Sequence, residues 1–164
     1  LVTIIKQTPE SVHLLYKESE ILYNTAEFFN LKVMNLSQGY ERTVNFTLTA
    51  QETGESTQTE ENEKVERSTI PPTGKMLQHI RRHIMTQLTK QKEVVPIEET
   101  QIMLRLEQFI NQTSRRYQLI FTAERGEVHH YHESTVWLQE GLFDYLESTK
   151  EKENPLTLTD ITVD

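Results

Sequence analysis

The sequence predicts an α+β fold: an antiparallel sheet built from two hairpins and covered by amphipathic helices, with a disordered acidic loop. Three observations carry this. Tyr40–Ala50 alternates Val44, Phe46 and Leu48 with Thr43, Asn45, Thr47 and Thr49, the period of a half-buried strand. Thr73–Lys90 places Met76, Leu77, Ile80, Ile84 and Leu88 on one side at helical spacing. Between them, Gln51–Ser68 contains a single apolar residue, Val65, and cannot bury enough surface to offset its ordering entropy.

In chain order, Leu1–Gln7 is short and β-branched, a strand. Thr8-Pro9-Glu10 has the composition of a helix start: a capping hydroxyl, Pro in the first turn and an acid near the positive end. Val12, Leu15, Leu22, Ala26 and Phe29 then recur at helical spacing, with Asn30 as a left-handed stop. Leu31–Ser37 and Tyr40–Ala50 read as a hairpin around Gln38-Gly39. After the acidic loop and the Thr73–Lys90 helix, Gln91–Val95 is a joint and Pro96 a boundary. Ile97–Ser114, with Ile102, Met103, Leu106, Phe109 and Ile110 in phase, reads as a further helix. Tyr117–Ala123 and Val128–Glu133 both alternate around Arg125-Gly126, a second hairpin. Ser134 or Thr135 then caps a helix bearing Val136, Trp137, Leu138, Leu142, Phe143, Tyr145 and Leu146. The organisation expected is therefore a strand–helix–hairpin half over residues 1–50 and a flexible loop over 51–70. A helix–helix–hairpin–helix half over 71–149 completes one domain with 1–50, and 150–164 is a frayed tail.

Composition narrows the function. The chain has 164 residues, no Cys and a formal net charge of −8. Thiol catalysis, disulfides and thiolate metal sites are excluded. The acidic balance opposes generic nucleic-acid binding, which draws on Lys and Arg neutralising phosphates. No apolar run approaches the roughly 20 residues of a membrane span. The sequence reads as a cytoplasmic protein with no cofactor and no membrane partner.

Two histidine pairs are the candidate metal ligands. His79 and His83 share a helix face, and His130 and His132 would share a strand face. Four imidazoles could hold zinc, copper or nickel if the pairs met. A basic cluster on the Thr73–Lys90 helix includes Arg81 and Arg82, and could meet phosphate or an acidic segment. Phe28, Phe29, Trp137 and Phe143 are apolar positions that could face a partner as well as a core. Neither a phosphate-cradling Gly loop nor a Gly-x-Ser-x-Gly elbow is present.

His130-Tyr131-His132, with Tyr145 on the following helix and Phe46-Thr-Leu-Thr49 on a strand, resembles the rolling-circle replication and mobilisation nucleases. That resemblance implies a divalent metal on His130 and His132 and a nucleophilic Tyr145. The order of helices and hairpins, with the acidic charge, resembles type III secretion chaperones and implies a protein partner. With no complete catalytic signature and abundant amphipathic helix, the leading expectation is a non-catalytic binding or assembly subunit, a homodimer or part of a complex. A metal-dependent nuclease and a nucleic-acid accessory protein using the basic helix are the alternatives.

Overall fold

A computed structural model describes residues 1–51, 70–91, 97–151 and 155–164. The fold is α+β, and the chain divides into two compact units, Leu1–Asn35 and Leu36–Asp164. The acidic stretch expected to be disordered, and the joint before Pro96, lie outside the described residues.

The first unit is an antiparallel meander of β1 (Thr3–Gln7), β2 (Ser11–Tyr16) and β3 (Ser19–Asn24), followed by the short helix α1 (Thr25–Phe29). The long helix expected from Val12 to Phe29 does not form. The Thr8 hydroxyl, which resembled a helix cap, instead accepts the Ser11 amide at 3.0 Å and closes the β1–β2 turn. Lys17 takes a positive φ of 54° in the two-residue turn between Tyr16 and Ser19, breaking any helix there. The apolar spacing fitted both periods; Val12 and Leu14, two apart, are the residues actually buried. Asn30 does end α1, but in right-handed geometry with φ −83°.

The second unit contains β4 (Tyr40–Ala50), α2 (Thr73–Lys90), β5 (Ile102–Phe109), β6 (Ser114–Ala123), α3 (Ser134–Lys150) and β7 (Leu156–Val163). The strands form one antiparallel sheet in the order β5-β6-β4-β7. β4 and β5 are thus parallel to each other with β6 inserted between them, and β6 and β7 are parallel with β4 inserted. The unit is two split β-α-β motifs interleaved. Val44, Phe46 and Leu48 of β4 join Tyr117, Leu119 and Phe121 of β6 in one core with Met76, Ile80 and Ile84 of α2 and Leu138 and Leu142 of α3. Phe46 and Tyr117 are register partners whose rings stack at 5.7 Å.

This topology explains four departures from the sequence reading. Both edges of β6 are occupied, by β5 and β4, so Val128–Glu133 cannot fold back on it as a hairpin arm and forms turns instead. Both edges of β4 are occupied, by β6 and β7, so Leu31–Ser37 is not its hairpin partner; Leu36–Gln38 is a short 3-10 turn. Ile97–Ser114 is not a helix. Glu98 and Gln101 form a reciprocal capping box on a single turn, after which Ile102–Phe109 runs as the edge strand beside β6. The Asn111 side chain accepts the Thr113 amide at 2.9 Å to make the β5–β6 turn. The expected frayed tail is β7, stitched to β4 by reciprocal backbone bonds between Thr43 and Asp164 of 3.2 and 2.9 Å.

α2 and α3 pack directly on each other, and the approach depends on Gly141. A Cβ built there would lie 2.9 Å from Ile80 Cγ2 and 3.1 Å from Ile84 Cγ1. Gly141→Ala therefore lowers stability by about 1–2 kcal/mol in urea or thermal unfolding, overpacking outweighing the gain in helix propensity. Gly74→Ala, in α2 where nothing lies within 4 Å, raises it by up to about 1 kcal/mol.

Candidate functional site

The α2–α3 seam brings one set of titratable side chains together. His79 and His83 lie one turn apart on α2, and both face Asp144 of α3. His79 Nε2 is 2.7 Å and His83 Nδ1 3.2 Å from the same carboxylate oxygen, Asp144 Oδ2. The ring of Tyr145 stands edge-on to His79 at 5.4 Å. The i, i+4 spacing of the histidines placed them on one helix face. That the partner is Asp144 follows only from how the helices pack.

The second histidine pair is elsewhere. His130 sits in the turn region before α3, buried, its ring 5.0 Å from Trp137 and 6.4 Å from Phe121. His132 is exposed beside Tyr131. The two pairs join different clusters, and among the described residues no group of three or more His, Asp or Glu side chains is arranged to hold a metal ion. The strand expected to carry His130 and His132 on one face is replaced by turns, so the geometry implied by the rolling-circle resemblance is not formed by these residues. Tyr145 is 5% exposed and belongs to the core. Its burial, with Tyr117 nearby, holds the phenol above its ordinary range, the opposite of an activated nucleophile.

The basic helix divides by side. Arg81 gives both Nε and Nη2 to the Ile102 carbonyl at 2.9 and 2.6 Å, so its guanidinium secures the start of β5. Arg82 is exposed and forms no ion pair among the described residues. Of the apolar positions expected to face a partner, Trp137 is in the core, Phe28 is half-buried, and Phe29 and Phe143 are exposed at 67% and 46%.

At the end of the sheet near the β6–α3 loop lies a polar network that the sequence did not reveal. The Glu127 carboxylate accepts the Gln101 side-chain amide and the Glu124 backbone amide, each at 2.8 Å. Gln101 also donates to the Thr122 carbonyl at 3.2 Å, pinning the loop to the entry of β5. Gly126 turns the loop with φ +90°, as its place in Arg125-Gly126 foretold. Close by, Arg42 stacks on Tyr131 at 4.5 Å, and Tyr40 meets Tyr131 edge-on at 5.2 Å. Apart from the Glu124–Glu127 contact within the loop, each partner here is distant in sequence, so no local pattern pointed to it.

No family model matches the chain, and no curated protein and no solved structure matches it significantly. No helix among the described residues is long and apolar enough to cross a membrane.

Burial, with the Glu127 and Glu133 carboxylates nearby, pushes the Tyr40 phenol up to about 12. The folded chain therefore holds this proton above pH 10, where the unfolded chain releases it. The contribution is complete below pH 10 and is lost as pH rises towards 12. Urea unfolding at successive pH values shows a decline over that window, and Tyr40→Phe flattens it.

Proposed function

We propose that the chain is a non-catalytic protein-binding or assembly subunit that associates through its first 35 residues. One observation carries this reading: the Leu1–Asn35 unit has almost no core of its own. Val12 and Leu14 are its only fully buried apolar side chains, while Ile4, Ile5, Leu22, Phe29, Val33 and Met34 are 50–67% exposed. A three-stranded sheet of this length, with no Cys to cross-link it, cannot draw much stability from two buried side chains. Exposed apolar surface on that scale is the mark of an interaction site. Among the described residues, His79, His83 and Asp144 serve helix docking and Tyr145 serves packing, which is in keeping with that reading.

Self-association is the form tested first. Sedimentation velocity across the micromolar range shows a mass that rises with concentration. Leu22→Glu with Phe29→Glu shifts the protein to monomer while changing its unfolding midpoint little, as is usual at exposed positions. A wild-type chain that remains monomeric at high micromolar concentration and is indistinguishable from the variant contradicts the proposal.

A further inference from the structure

Within the Leu36–Asp164 unit, α2 carries a second surface. The helix has four cations, Lys75, Arg81, Arg82 and Lys90, and no Asp or Glu, in a chain of formal net charge −8. Its core side is filled by Met76, Ile80, Ile84 and Leu88, and His79 and His83 turn to Asp144 on α3. The remaining side, towards the start of β5, borders a groove of about 540 Å³. Leu77 and Met85, both half-buried, supply its apolar surface, and Gln78, Arg81, Arg82 and, as the one acid among the described residues, Glu99 its polar one. Arg81 is committed to the Ile102 carbonyl, which leaves Arg82 as the exposed cation on the groove.

We infer that this groove takes an acidic amphipathic peptide segment of a partner protein, with apolar side chains on Leu77 and Met85 and a carboxylate on Arg82. The inference rests on the protein-binding reading and adds a second docking surface to it. Charge complementarity selects the occupant: a helix with cations and no acids attracts carboxylates, and Arg pairs with them in a forked geometry. Leu77 and Met85 are eight residues apart on α2, about 12 Å along the helix, and suit anchors about two turns apart on a helical peptide, the ends of an i, i+4, i+7 apolar stripe. A nucleic acid fits less well: among the described residues no aromatic side chain lines the groove for base stacking.

The test is selection of displayed random peptides of about 16 residues, roughly four helical turns, on the full chain. Enriched sequences are expected to be rich in Asp and Glu, with apolar residues three or four apart. Labelled copies then bind in fluorescence anisotropy, and Arg82→Glu weakens them by roughly tenfold or more. Phe29→Glu leaves peptide binding unchanged, so failure of this groove and failure of the first-unit interface are read separately. The inference is overturned if no peptide is enriched, if the enriched peptides are not acidic, or if Arg82→Glu has no effect. It is overturned equally if oligothymidylate displaces the peptide with comparable affinity, which would make the groove a nucleic-acid site.

Discussion

The structure depends on the β4–β6 ladder. It runs through ten registered pairs from Tyr40 opposite Ala123 to Thr49 opposite Ser114, with Phe46 stacked on Tyr117 at its centre. Because side chains alternate along a strand, this one register fixes which residues of both strands face the helices and which face away. It also fixes what the flanking segments can do. Each of the two strands has one further edge, and β5 and β7 fill them. Val128–Glu133, which follows β6 and finds both its edges taken, forms turns.

Helix packing follows from the same platform. α2 and α3 lie over the core side of the ladder and meet closely at Gly141, which lets Ile80 and Ile84 approach the α3 backbone. Closeness at the seam is what brings Asp144 within reach of both His79 and His83. Polar contacts this exposed contribute modestly, of the order of 1 kcal/mol or less, so they position the helices without dominating their stability. On the far side of α2, Arg81 ties the helix to β5. The polar residues that appeared to be candidates for chemistry are thus mostly joints between elements.

Legibility in the sequence varied with the range of the forces involved. Tyr40–Ala50 and Thr73–Lys90 were readable to the residue, since one has an unbroken period of two and the other a sustained helical stripe. The start of α3 near Ser134 and the turn at Gly126 were readable from composition, but the cap was not: Glu133 holds the cap position without a side-chain cap bond, and the Ser134 hydroxyl donates to the Tyr131 carbonyl instead of accepting a helix amide. Residues 12–29 and 97–114 were not, because their apolar spacings satisfy both periods and the choice is made by partners elsewhere in the chain. Residues 128–133 had a clean alternation but no vacant edge on β6, the strand they follow. β7 was hidden by its position: a Thr-rich terminal run is a strand only because β4 is beside it. Of the candidate site, the His79–His83 pair was visible, whereas Asp144, Gln101 and Glu127 were not, since helix packing and loop closure supply them.

The two units differ in what holds them, and the functional proposal grows from that difference: one is a scaffold with a full core, the other a small sheet with two buried apolar side chains. Native-state hydrogen exchange tests this most directly. Amides of β4 and β6 should be among the slowest in the chain, opening only with global unfolding, while those of β1, β2 and β3 exchange by a separate opening of much lower free energy. Equal protection of both units, lost together in denaturant, would contradict the account.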